Sequence, residues 1–263
     1  MDSDDRLVGR LLSRREALVL LGGAGVAFAA ACSGKDSASP TQTIRAGVTP
    51  SATSTQAAAA AAPSCVVRPE LTEGPYFVDE KLERSDIRSD PSDGSVKPGT
   101  LLAIAFNVST VGTGECVPLA GASVDVWHCD ALGVYSDAQD PSFATKGQKF
   151  LRGYQLTDSS GAAKFTTIYP GWYQGRAVHV HFKIRTPRSG GGIYEFTSQL
   201  FFDDALSDRV FAQPPYAQKG QRTTLNSNDG IFRNGGDQLL LAVTPAGADD
   251  GYAGAFDIGL QIA

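Results

Sequence analysis

Histidine is scarce in this chain, with three in 263 residues. Chemistry that leans on imidazole therefore has few places to sit, and two of the three, His179 and His181, stand one residue apart. Cysteine is almost as rare: there are four, with no Cys-x-x-Cys pair, which removes the common thiolate zinc sites. Positive charge is not in excess. The net charge is −5. It is unchanged without residues 1–31, where Arg6, Arg10, Arg14 and Arg15 balance Asp2, Asp4, Asp5 and Glu16. A mildly acidic body argues against a nucleic-acid partner. The longest apolar stretch, residues 18–31, is too short to span a bilayer well and ends in small residues. No glycine-rich nucleotide loop and no internal repeat is evident.

What the N-terminal region does contain is an address. Ser13-Arg14-Arg15-Glu16-Ala17-Leu18 is a twin-arginine pattern, and the apolar stretch after it runs into Cys32. Small residues directly before a cysteine resemble a bacterial lipoprotein cleavage site, although Ala29 stands where leucine is usual. Residues 1–32 are therefore expected to be an export signal, with a lipid anchor at Cys32 preferred over simple cleavage, and an uncleaved membrane anchor as the remaining alternative. Residues 33–64, rich in Ser, Thr, Ala, Gln, Pro and Gly, lack the apolar surface to offset ordering entropy and read as a disordered tether. Residues 65–263 are long enough for one domain with a real core. The expected location is the periplasm or the extracytoplasmic membrane face. There, Cys65, Cys116 and Cys129 would give one disulfide and one spare thiol, Cys65–Cys116 being the preferred of three pairings.

The domain reads as all-β with little helix. Runs of strand character, separated by Gly, Pro, Asn and Asp, cover residues 101–109, 122–127, 163–168, 178–185, 196–202, 238–244 and 255–262. Short strands with turns between them suggest a β-sandwich. One helix is expected over residues 204–212, capped by Asp203 or Asp204.

Residues 178–185 are the most legible. Val178, Val180, Phe182 and Ile184 alternate onto one face and can fill a core, which leaves His179, His181, Lys183 and Arg185 on the other. Two imidazoles on one face of a strand can share a metal, or be no more than an exposed pair. Two tyrosines change the balance: Tyr173, six residues before His179 across a glycine-containing turn, and Tyr135, just past the end of a strand. A phenol is a poor ligand while protonated, but a strongly charged hard cation reverses that. Two phenolates and two imidazoles suit Fe(III) better than Zn(II).

Five blocks then carry a family resemblance. They are Leu71-Thr72-Glu73-Gly74-Pro75-Tyr76-Phe77; Val124-Asp125-Val126-Trp127-His128 with Gly133-Val134-Tyr135-Ser136; Arg152-Gly153-Tyr154-Gln155-Leu156-Thr157-Asp158; the stretch from Pro170 to His181; and Thr197-Ser198-Gln199-Leu200-Phe201-Phe202. In this order the chain resembles the intradiol ring-cleavage dioxygenases, the family of protocatechuate 3,4-dioxygenase and catechol 1,2-dioxygenase. The resemblance implies a non-haem Fe(III) held by Tyr135, Tyr173, His179 and His181, with Tyr135 and His179 equatorial and Tyr173 and His181 axial. It implies a catechol-type substrate and O2 as partners, and ring opening between the two hydroxylated carbons to a cis,cis-muconate-type diacid. Tyr173 would take a substrate proton, Arg176 would steady the carbanion-like substrate, Gln199 would lie near the same ring, and Tyr76 would line the pocket.

The alternatives are less specific. Arg176 could be a surface arginine, Gln199 a strand-face residue and Tyr76 a packing residue. His128 reads as a hydrogen-bonding loop residue rather than a fifth ligand, Trp127 as core, and Tyr154 and Tyr169 fall outside the matching positions. A competing function is an exported β-sandwich binding module that kept the metal site without turnover. The chain also departs from the well-known enzymes. Only Gln174 and Gly175 separate Tyr173 from Arg176, and no long helical N-terminal segment is evident, so a more open pocket is expected.

Overall fold

The computed structural model describes residues 66–112, 115–247 and 251–262. The expected export signal, the tether, Cys32 and Cys65 lie outside the described residues.

The described chain is two packed sheets. Strands β1 (Leu101–Val111), β2 (Cys116–Pro118), β7 (Ala162–Ile168), β10 (Val243–Ala246) and β11 (Gly251–Leu260) form a five-stranded sheet in which β1 joins β11, β2 and β7. β1 and β11 pair in parallel from Leu102↔Tyr252 to Thr110↔Leu260. The second sheet has the order β6-β3-β8-β9, made of β3 (Ser123–Trp127), β6 (Arg152–Leu156), β8 (His179–Pro187) and β9 (Ile193–Phe201), all antiparallel. β4 (Gln139–Asp140) and β5 (Phe143–Ala144) form a small separate ribbon.

Alternation decides what lies between the sheets. Leu102, Ile104, Phe106 and Val108 of β1 meet Val124 and Val126 of β3, Val180, Phe182 and Ile184 of β8, and Phe256, Ile258 and Leu260 of β11. The rings of Phe106 and Phe182 lie 5.2 Å apart, and those of Phe182 and Phe256 5.7 Å. Each such side chain contributes about 1.5–3 kcal/mol by leaving water. Helix α1 (Asp204–Phe211) begins where Asp203 accepts a hydrogen bond from the Leu206 amide at 2.9 Å, and it buries Leu206, Val210 and Phe211.

The all-β sandwich expectation holds. Two local expectations are corrected. The run 238–244 is not one strand: Gly236–Leu239 is a 3-10 turn, and β10 starts only at Val243. Gly235 just before it has φ 106°, a left-handed conformation that sets up the turn. The outward face of β8 is not exposed either. His179, His181 and Lys183 are all under a tenth exposed, because loops and Trp127 cover that face.

Candidate active site

The outer face of β8 is a covered platform. Its first and third residues are His179 and His181. In register beside them are Phe201 and Gln199 of β9, and Trp127 of β3. Trp127 lies nearly parallel to the His181 ring, 5.0 Å between centroids at 8°.

Two loops bring the tyrosines onto this platform. The first leaves β3 at Trp127. Asp130 Oδ1 accepts from the amides of Leu132 and Val134, both at 3.0 Å, and turns the chain back so that Tyr135 points inward. The second precedes β8, where the Gly171 amide donates to Asp130 O at 3.2 Å. The loops touch so closely that a Cβ on Gly171 would collide with the backbone of Asp130 and Ala131. This contact places Tyr173 next to Tyr135, their rings 5.8 Å apart.

All four side chains converge on one atom. His179 Nε2 lies 3.4 Å from the Tyr135 hydroxyl, 3.2 Å from the Tyr173 hydroxyl and 3.0 Å from His181 Nε2. Its other nitrogen, Nδ1, is 2.7 Å from the Ala177 carbonyl and must donate to it, so Nε2 carries a lone pair into the cluster. His181 Nδ1 is buried without a hydrogen-bond partner. Burial, with the positive Arg176 nearby, holds the His179 pKa well below its ordinary value; burial, with His179 beside it, does the same for His181. Both rings are neutral ligands-in-waiting. Burial also pushes the Tyr135 phenol well above its ordinary pKa and the Tyr173 phenol up to about 12. Lone pairs and phenols facing one another in a dry site form an arrangement that a hard cation would relieve. Among the described residues no cluster of three His, Cys, Asp or Glu offers a rival site.

Arg176 and Gln199 lie at the same place. Arg176 Nη2 donates to Gln199 Oε1 at 2.5 Å, and Gln199 Nε2 donates to the Thr72 carbonyl at 2.9 Å. Gln199 is fully buried. Tyr76 stacks on Tyr135 at 4.4 Å and donates to Asp140 Oδ2 at 2.7 Å, half-exposed at the rim. Gly74, with φ 73°, lies over His181, where a Cβ would come within 3.2 Å of Cε1.

The decoys are elsewhere. Both nitrogens of His128 are used, Nδ1 with Cys129 O at 2.8 Å and Nε2 with Thr167 Oγ1 at 2.7 Å, so it is no ligand. Tyr154 bonds Glu83 at the surface and Tyr169 bonds Ser207 in the core. Cys129 is a free, buried thiol and Cys116 is disulfide-bonded, as the cysteine arithmetic allowed. Sequence reading missed Asp229. Its carboxylate, fully buried, accepts from Arg176 Nε at 3.0 Å, and only a tertiary contact reveals it. It also left Arg152 without a role. Arg152 donates from Nε to Ser136 Oγ at 2.7 Å and from Nη1 to the Tyr76 carbonyl at 3.1 Å, and so ties the Tyr76 segment to the loop that carries Tyr135.

Several known proteins are similar to this chain. A family model described as Dioxygenase matches residues 72–258. An intradiol ring-cleavage dioxygenase from Tetranychus urticae is 32% identical with a TM-score of 0.63, over 75% of this chain and 95% of that one. The dioxygenase domain of a dioxygenase–carbohydrate-binding protein fusion from Streptomyces sp. SirexAA-E is 27% identical with a TM-score of 0.52, over 75% and 100%. Chlorocatechol 1,2-dioxygenase of Pseudomonas putida is 30% identical over 149 residues, 50% of this chain and 52% of that one. The chain thus spans about half the length of that curated relative. With the matched region running through every residue of the histidine–tyrosine cluster, the chain belongs to the intradiol ring-cleavage dioxygenase family.

Proposed function

We propose that the protein is an Fe(III)-dependent intradiol dioxygenase that opens a catechol-type ring with O2 between its two hydroxylated carbons, giving a cis,cis-muconate-type diacid. One observation carries the reading: two phenols and a second imidazole meet the lone pair of His179 Nε2 within 3.4 Å, in a buried site. Tyr135, Tyr173, His179 and His181 would hold the ion. Relatives named catechol and chlorocatechol 1,2-dioxygenases support the substrate class.

Bound there, ferric iron would make phenolates of the two tyrosines and draw electron density from a catecholate toward O2. The chain's own groups do the rest. Tyr173 is the half-exposed member of the cluster. As a phenol unbound to any cation it is held by burial at a pKa of about 12, so its oxygen would be basic enough to hold a proton taken from a catechol. Arg176 presents a fixed positive charge where negative charge develops on the ring, and its Nη1 is engaged by no protein group among the described residues. Gln199 keeps that guanidinium from swinging away. Tyr76, stacked on Tyr135, and the turn at Gln174 and Gly175, both exposed, form the rim through which substrate enters.

Product analysis after O2 uptake with a panel of catechols tests the reaction. A muconate-type diacid is expected; an extradiol semialdehyde, or no uptake by iron-loaded protein, refutes it. Tyrosinate bound to Fe(III) should colour the protein red to purple, and Tyr135→Phe should shift and weaken that band. Export by the twin-arginine route, with a lipid anchor at Cys32, is part of the same proposal; the disulfide at Cys116 supports an oxidising compartment.

A further inference from the structure

Asp229 sits outside the five sequence blocks, between two 3-10 turns, Asn226–Asn228 and Phe232–Asn234. It is completely buried. Its two carboxylate oxygens face different tasks. Oδ1 accepts from the Ile231 amide at 2.6 Å and the Phe232 amide at 3.1 Å, which caps the second turn. Oδ2 turns toward the cluster and accepts from Arg176 Nε at 3.0 Å and from the Ala177 amide at 2.6 Å.

The Ala177 peptide has a second bond. Its carbonyl receives the Nδ1 proton of His179 at 2.7 Å. That bond fixes both the ring orientation and the tautomer that offers Nε2 to a metal. One carboxylate oxygen therefore grips the guanidinium directly and the histidine through one peptide unit. From the guanidinium the chain of bonds continues through Gln199 to the Thr72 carbonyl, on the loop that covers His181. A turn cap needs only Oδ1. Nothing in capping explains why the other oxygen spends both its bonds on residues 176 and 177.

We propose that Asp229 is a positioning residue that keeps Arg176 and the His179 imidazole in register with each other. The inference rests on the dioxygenase reading above and adds a residue to it. With the carboxylate replaced by an amide, Arg176 loses its only ionic partner among the described residues, and one oxygen can no longer serve both the Ala177 amide and the Ile231 and Phe232 amides. Arg176 can then swing toward solvent, and the histidine can tilt about its strand position.

The test uses the full iron-loaded chain in four forms: wild type, Asp229→Asn, Arg176→Gln and the double variant. Catechol turnover, equilibrium binding of 4-nitrocatechol, iron per chain and the visible band are read for each. Asp229→Asn is expected to lower kcat by roughly 10- to 100-fold with a much smaller change in KM. In the Arg176→Gln background the same substitution should cost far less, because the two act through one guanidinium. Asp229→Asn should also shift the visible band, and that shift should persist in the Arg176→Gln background, because the peptide route to His179 does not need Arg176. Equal kcat losses in both backgrounds, or a lowered thermal midpoint with turnover unchanged within about twofold, would leave Asp229 a turn cap and overturn the proposal. Should Asp229→Asn fail to fold, Asp229→Glu keeps the charge and displaces it by one methylene. Unchanged kcat and band in that variant overturn the proposal too. A wild type that holds iron and colour but cleaves no catechol sinks the dioxygenase reading instead; the band shift in Asp229→Asn still decides the positioning role.

Discussion

At the scale of single residues, burial governs charge. His128 is enclosed, and burial depresses its pKa to about 4. A base with a depressed folded pKa contributes stability above its unfolded value, near 6.5, and that stability drains away as pH falls toward 4, because the unfolded chain binds the proton more readily. Metal-free protein should therefore lose roughly 1 kcal/mol per pH unit from this residue between about pH 6 and pH 4. Urea unfolding across that range measures it, and His128→Gln should show a shallower slope. Gly74 is the second case. Its φ of 73° penalises any side chain, and a methyl would press on His181 Cε1. Gly74→Ala should cost about 1 kcal/mol and, by lifting the covering loop, lower kcat/KM for catechol; steady-state kinetics beside a melting curve separates the two effects. These residues differ in how readable they were. His179 and His181 announced themselves by strand alternation, whereas Asp229 stands in a run of Asn, Ser, Asp and Gly that reads as an ordinary turn. Its partners at 176 and 177 are more than fifty residues away, and no local pattern encodes a contact of that span.

Among elements, β8 carries the two histidines of the proposed metal site and two loops supply its tyrosines. β8 was legible because its apolar residues fill every second position; its burial on the other face was not, since that depends on loops from 72–77, 128–136 and 171–176 folding over it. β6 lacked any alternation in Arg152-Gly153-Tyr154-Gln155-Leu156, so only its family motif marked it. Yet Arg152 at its start bonds Ser136, next to Tyr135, and the Tyr76 carbonyl. Arg152→Met would remove these bonds and leave desolvated acceptors behind. A loss of about 3 kcal/mol is expected, with weaker iron retention and substrate turnover that falls with it; chemical unfolding and an iron-chelator titration check both. The 236–246 region misled for a physical reason as well. Leu239, Leu240 and Leu241 look like a strand, but the left-handed Gly235 starts a turn there, and Leu241 only touches the edge of β9 through a bond to Phe201 O at 2.8 Å.

For the molecule as a whole, the sandwich core and the disulfide are separate sources of stability. Phe182 contacts the rings of Phe106, Phe196 and Phe256 on one side of β8 while His181 and the site lie on the other. Phe182→Ala should cost about 3–5 kcal/mol and loosen the site along with the core. Reduction, or Cys116→Ser, should cost about 2–5 kcal/mol while leaving the iron chromophore of the folded fraction unchanged, since Cys116 is in β2, on the sheet that does not carry the ligands. The parallel pairing of β1 with β11 has a further consequence. The central strand of the first sheet finds this neighbour about 150 residues later, as the Asn107–Asp257 side-chain bond marks. Closing that sheet requires contacts between residues far apart in sequence, which form slowly. Phe182 of β8 packs on Phe256 of β11, so the strand that carries both histidines completes its core only when this distant pairing has formed.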